Sequence, residues 1–117
     1  MNSNGKLRAE WFWTDRWFAS SAYFLPIEAR GIYREMLTRA WSRGAQLPAD
    51  EETIRRVIGA TTDEWERNWR KVGPFWRRDG DILVNETQIE IYETVREINE
   101  RRSEHGRRGA TARWGKS

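Results

Sequence analysis

The chain has 117 residues, with eight tryptophans, one histidine, no cysteine and a formal net charge of +3. That length suits one domain, or one domain with a tail. The composition excludes disulfides, thiolate-bound zinc, thiol catalysis, a multi-histidine metal centre and a histidine-based triad. With those tools absent, neither an enzyme nor a cofactor nor a bound metal is expected, and a binding role is the default.

Residues 1–9 are small and polar and predict a disordered N-terminus. The aromatic run Glu10-Trp11-Phe12-Trp13-Thr14 has no helical period and reads as a short strand. Residues 15–22 stay open, because Thr14 or Asp15 would cap one helical turn carrying Trp17 and Phe18. Pro26 suits the first position of a helix. From there to Arg43, Ala29, Ile32, Tyr33, Met36, Leu37, Ala40 and Trp41 form an i, i+3, i+4, i+7 stripe. Gly31 inside this helix predicts close approach by another element. Gly44 ends the helix at the position glycine favours.

Asp50 caps a second helix that begins with Glu51 and Glu52 and ends at Gly59. Thr61-Thr62-Asp63-Glu64 is a capping box for a third, which carries Trp65, Trp69 and Val72. Asp79-Gly80 between Phe75-Trp76-Arg77-Arg78 and Asp81-Ile82-Leu83-Val84-Asn85 predicts a β-hairpin. Thr87-Gln88-Ile89-Glu90 reads as another capping box, opening a last helix with Ile89, Ile91, Tyr92, Val95 and Ile98. That helix should dissolve near Gly106 and Gly109.

The expected fold is mainly α with a small β-hairpin. It is winged-helix-like: strand, three helices, hairpin wing and C-terminal helix, as a domain over residues 10–100. One feature departs from the usual helix-turn-helix, which keeps a small residue four positions before the turn glycine. Here that residue is Arg55.

Charge separates the ends. Residues 101–117 carry +5, from Arg101, Arg102, Arg107, Arg108, Arg113 and Lys116 against Glu104, so the first 100 residues carry −2. This segment reads as a basic flexible tail, and glycine, alanine, threonine and Trp114 interleave its arginines. Cations with a stacking aromatic suit single-strand or backbone binding, although a merely solubilising tail has the same composition. His105 within it is a bystander rather than a ligand. Of the 21 basic residues, 18 are arginine, whose planar fork suits phosphates, carboxylates and ring faces. GC-rich coding would produce the same bias. No apolar run approaches the ~20 residues that span a bilayer. Residues 1–6 are not followed by the apolar stretch of a secretory signal. Neither a membrane nor a small-molecule partner is expected.

The candidate nucleic-acid-binding residues follow from the need for cations at phosphate spacing and a side chain that reaches base edges. On the third helix they are Arg67, Asn68, Arg70 and Lys71. At the wing tip they are Arg77 and Arg78, and in the tail Arg101, Arg102, Arg107, Arg108 and Arg113. On the helices the competing reading is a solvated face, since Asp63–Arg67, Glu66–Arg70, Glu51–Arg55 and Glu52–Arg56 all have ion-pair spacing. Most of the tryptophans read as core. Trp13 and Trp17, at the edge of the fold, are the candidates for exposed protein-binding rings.

The run Leu25-Pro26-Ile27-Glu28-Ala29-Arg30-Gly31-Ile32-Tyr33, then Leu37, Trp41, Gly44 and Leu47-Pro48-Ala49-Asp50, resembles the YdaU-like family. So do Ile58-Gly59, Trp65, Phe75-Trp76, Asp79-Gly80, Gly106-Arg107-Arg108-Gly109 and Arg113-Trp114. This is a phage and prophage domain of unknown function, often at the N-terminus of proteins assigned to replication initiation. The resemblance implies a winged-helix-like, DNA-binding role in phage replication, in the cytoplasm of a bacterial host. Longer members continue beyond the equivalent of Ser117, so any helicase or loader recruitment through that continuation is not expected here. The alternative expectation is a small protein-binding module that engages a host or replisome protein.

Overall fold

The computed structural model describes residues 7–114, with side chains described as far as residue 106. In chain order the elements are α1 (Thr14–Ala19), a 3-10 turn (Ser21–Phe24), α2 (Ile27–Ser42), β1 (Leu47–Pro48), α3 (Glu51–Ile58) and α4 (Thr62–Val72). A second 3-10 turn (Gly73–Phe75), β2 (Arg77–Asp79), β3 (Ile82–Val84) and α5 (Glu86–Trp114) follow.

The seven apolar positions of the α2 stripe are the seven buried residues of that helix. They pack against α3 and α4 in a core that also takes in Leu47, Ile54, Trp65, Val72, Trp76 and Leu83. Caps hold the two shorter helices as their sequences predict. The Asp50 carboxylate accepts from Thr53 N at 3.1 Å. Thr61 and Glu64 form the reciprocal box, at 3.1 and 2.8 Å. Gly59 closes α3 with φ +79, a left-handed conformation that a β-carbon disfavours. Arg55 replaces the small residue expected in the turn. Its Nη1 donates to the Ala60 carbonyl at 2.8 Å while Nε and Nη2 hold Glu52.

The sheet is antiparallel with strand order β1-β3-β2. Leu47 pairs with Leu83 and Pro48 with Ile82, while Arg77, Arg78 and Asp79 pair with Val84, Leu83 and Ile82. The order α2, β1, α3, α4, β2, β3 is winged-helix-like, with one strand placed differently from the expectation. Residues 10–13 form no strand, and α1 begins at Thr14. Aromatic content favours a strand only where a partner edge exists. Both edges of β3 are already paired, and the prolyl β1 serves as one edge strand of the sheet. The hairpin turn is also one residue later than expected. Asp79 pairs with Ile82, leaving Gly80 and Asp81 as the loop, and Gly80 has φ +64.

Three further expectations are corrected. Leu7, assigned to a disordered N-terminus, is buried. It packs with Trp41, Ala45, Tyr92 and Val95, and its N–H donates to Tyr92 Oη at 3.1 Å. Gly31 meets no approaching element, since a β-carbon there would find nothing within 4 Å. The capping residue of α5 is Asn85 rather than Thr87. Its Oδ1 accepts from Gln88 N at 3.0 Å, and its Nδ2 donates to Tyr33 Oη at 2.9 Å and to the Phe75 carbonyl at 3.1 Å. This buried amide ties α2, the second 3-10 turn and α5 together.

Helix α5 passes through Gly106 and Gly109 to Trp114, correcting the expected dissolution into an irregular tail. A glycine costs a helix about 1 kcal/mol relative to alanine, which does not end one flanked by arginine, glutamate and alanine. At 29 residues it is about 43 Å long. Val95 is fully buried and Ile98 is half-buried, whereas residues 99–106 are all exposed. The last turns leave the body, and the molecule measures 65 × 28 × 23 Å.

Candidate nucleic-acid interface

The structure separates the candidate cations into three places. On α4, Arg67 does not pair down its own helix with Asp63. It reaches across to α2, where Nε and Nη2 bind the two oxygens of Glu28, each at 2.9 Å. These bonds hold the Glu28 carboxyl down at a pKa of about 2, with Asn68 adding to the effect. Asn68 is 2 % exposed, and its amide donates to Glu28 at 2.6 Å and to the Glu64 carbonyl at 2.8 Å. That burial corrects its assignment as a base-reading side chain: it locks α4 to α2. Arg70 and Lys71 are exposed in the last turn of α4, away from the acidic first turn of Asp63 and Glu64.

On the wing, Arg77 and Arg78 are exposed. They are consecutive strand residues, so their side chains leave opposite faces instead of sharing one tip. Arg77 pairs with Glu86 at the start of α5 and lies 3.9 Å from Asp79. Arg78 donates to the Gly80 carbonyl at 3.1 Å. Solvent screens exposed pairs of this kind, so they contribute little, and a phosphate can replace the carboxylate partner at small cost.

The third place is the projecting part of α5. Arg101 and Arg102 are exposed, and Arg101 lies 3.7 Å from Glu97. The backbones of Arg107, Arg108 and Arg113 continue the same helix, while their side chains lie outside the described residues. Arg101 and Arg102 are consecutive on the helix and so lie about 100° apart.

The aromatic expectation changes as well. Trp13 and Trp17 are only half-buried, but Trp17 packs on the core and stacks on Tyr33, with centroids 6.0 Å apart and planes at 11°. Among the described residues, the exposed large apolar ones are Phe12, Phe18, Phe24 and Ile27, with Phe24 at 80 % and Ile27 at 74 %. Residues 17 and 18 lie 100° apart on α1, so turning Trp17 inward turns Phe18 out. Phe18 and Phe24 flank Tyr23, with centroids 4.9 and 5.7 Å away. Sequence reasoning missed this patch because it ranked rings by type. The signal lay in the residues next to each buried one.

Between the aromatic N-terminal segment, α2 and the start of α5 lies a cavity of about 320 Å³. Its walls include Trp11, Phe12, Trp17, Tyr33 and Trp41, with Gln88 behind them. Arg34 closes one side. Its guanidinium is 4.2 Å from the Phe12 centroid and 5.6 Å from that of Trp17, and 3.7 Å from Glu10. Among the described residues, no group of three or more His, Cys, Asp or Glu side chains could hold a metal ion. No helix among them is long and apolar enough to cross a membrane.

A family model described as "Protein of unknown function (DUF1376)" matches residues 14–91. The match covers more than half of the chain, from α1 through the wing into α5, and the chain belongs to that family. No curated protein and no solved structure matches it.

Proposed function

We propose that this member of the family binds nucleic acid, with the projecting basic end of α5 as its electrostatic anchor and the wing as a secondary contact. The observation that carries this reading is the exit of α5 from the body after Ile98, with residues 99–106 exposed. The five arginines of that arm sit on a chain whose first 100 residues carry −2. Phosphate attraction concentrates where positive charge is not cancelled. A helix end that carries several arginines in its sequence offers cations to the phosphate backbone. Arg70, Lys71, Arg77 and Arg78 would add backbone contacts from the body. The likeness to the YdaU-like family extends the proposal to phage replication initiation or its regulation, within a bacterial cytoplasm.

The test is a binding titration with duplex and single-stranded DNA at two salt concentrations. Affinity should fall steeply with salt, with a slope of roughly 0.7–0.9 per phosphate contact. A flat salt response would overturn the proposal.

One observation favours a second reading, a module that engages a host or replisome protein. Phe18 and Phe24 are exposed and both contact Tyr23, and exposed apolar groups of this kind mark protein contacts. That interface would respond weakly to salt and strongly to substitution of Phe24.

A further inference from the structure

Residues 7–13 lie against α2 and α5 without joining any helix or strand. Among the described residues, no backbone-to-backbone hydrogen bond ties this segment to α2, to the sheet or to α5. Its one such bond runs forward, from Trp17 N–H to the Trp13 carbonyl at 3.0 Å. Side chains hold it instead. Leu7 N–H donates to Tyr92 Oη at 3.1 Å, and Leu7 sits with Trp41, Ala45 and Val95 while Trp11 packs against them. Glu10 accepts from Thr38 Oγ1 at 2.8 Å and lies 3.7 Å from Arg34. The Arg34 guanidinium covers the Phe12 ring at 4.2 Å.

The packing behind these ties is open. The cavity of about 320 Å³ is lined by residues 10–13 together with Leu37 and Trp41 of α2 and Ile91 of α5, where a protein interior is ordinarily close-packed. The main core of α2, α3 and α4 contains no residue of the segment. The body resumes at Trp17, which packs on that core and stacks on Tyr33. Lifting residues 7–13 therefore breaks one buried hydrogen bond, one exposed one and the contacts of a few side chains, and it leaves the main core whole. Segments with few buried contacts and few backbone bonds open at a small fraction of the global unfolding free energy. We infer that residues 7–13 form a strap that opens as one unit while the α2–α4 core stays folded, uncovering an apolar face of Trp41, Tyr92 and Val95 between α2 and α5. The strap keeps that surface covered in the ground state and presents it when it lifts. This device is independent of the arginine arm and of what the arm binds.

The experiment is hydrogen exchange of the full chain, followed by NMR in rising concentrations of urea below the unfolding transition. Trp41 Nε1–H is the reporter of opening, because it is buried with no partner among the described residues and exchanges only when water reaches it. Leu7 N–H reports the strap itself. The amides of Met36 and Ala40, whose side chains are fully buried in α2, report global unfolding. The protection factors of Leu7 and Trp41 should agree within about threefold and lie about 100-fold or more below those of Met36 and Ala40. Urea should hardly change them, since a lifted strap exposes little surface, while Met36 and Ala40 exchange faster with each increment. Ile54→Val, in the core that the strap does not join, should speed exchange at Met36 and Ala40 about 5-fold and leave Leu7 and Trp41 unchanged. Tyr92→Phe removes the acceptor of Leu7 N–H and should speed exchange at Leu7 and Trp41 about 5-fold. The inference is overturned if Leu7 and Trp41 share the urea dependence of the α2 amides, because no opening then precedes global unfolding. It is equally overturned if Leu7 exchanges fast while Trp41 keeps the protection of α2, because the segment then frays without uncovering the indole. The wild-type pattern decides both outcomes, so misfolding of a variant does not protect the inference.

Discussion

Glu28 on α2 receives both Nε and Nη2 of Arg67 on α4, at 2.9 Å each, across 39 residues of sequence. The same carboxylate accepts the buried amide of Asn68. One side chain thus converts a candidate DNA-reading surface into a clamp between helices. It also makes folding sensitive to acid. The Glu28 carboxyl titrates at about 2 in the folded chain, below the usual carboxylate range. A depressed folded pKa gives stability that is complete above the unfolded value and is lost as pH falls toward the folded one. Thermal melting followed from neutral pH to about pH 2 should show an acid limb below the usual carboxylate range. Glu28→Gln should make that limb shallower. A remainder should persist, because Arg55 holds Glu52 at about 2 as well.

Gly31 is exposed in the interior of α2, has no positive φ and would meet nothing with an added β-carbon. Gly31→Ala should therefore stabilise the chain by about 0.5–1 kcal/mol, through lower entropy of the unfolded state and better helix propensity. Denaturant unfolding measures this. A destabilised variant would reveal an approach to Gly31 that the fold does not contain.

Asn85 makes three hydrogen bonds to three parts of the chain while buried. Asn85→Ala should cost about 1–3 kcal/mol, because it removes the α5 cap and strands buried partners. Tyr33→Phe removes just one of those bonds and should cost about 0.5–1.5 kcal/mol. Equal losses in the two variants would contradict the role given to the cap.

Truncation after Asn99 should leave a cooperatively unfolding domain, since no described residue beyond Ile98 is buried. The same truncation should remove most nucleic-acid affinity. In the full chain, changing Arg101, Arg102, Arg107 and Arg108 to serine should lower the salt slope by roughly one unit per lost phosphate contact. An unchanged slope would move the interface to α4 and the wing.

The wing and the phenylalanine patch give opposite results under the two functional readings. Arg77→Ala with Arg78→Ala should change stability by less than ~0.5 kcal/mol, as surface changes do. It should lower DNA affinity by about 1–3 kcal/mol if the wing touches the duplex. Phe18→Ser with Phe24→Ser should leave DNA binding alone and abolish capture of a protein partner. Paired affinity measurements on the two double variants separate the readings.

The sequence by itself determined whatever depends on nearest neighbours along a helix or turn. The α2 stripe, the Asp50 and Thr61 caps, the turn at Gly59 and the hairpin all follow from residues within a few positions of one another. It also determined the placement of charge at the C-terminal end. Tertiary structure decided which element each aromatic and polar side chain met. The run at Glu10–Thr14 had the composition of a strand but pairs with neither edge of the sheet, whereas Leu47-Pro48 lies beside β3. Asn68 and Arg67 had the chemistry of a DNA contact, but Glu28, 40 residues from Asn68, took both. Thr87 had capping-box spacing, but Asn85 lay where Tyr33 and Phe75 could fix its amide. The cavity between Trp41 and Gln88 left no local pattern at all, because its walls come from segments that meet only when α5 docks on α2. Short-range hydrogen bonds are fixed by chain geometry, while long-range partners are chosen by whichever packing buries the most apolar surface. That choice is invisible until the chain has closed on itself.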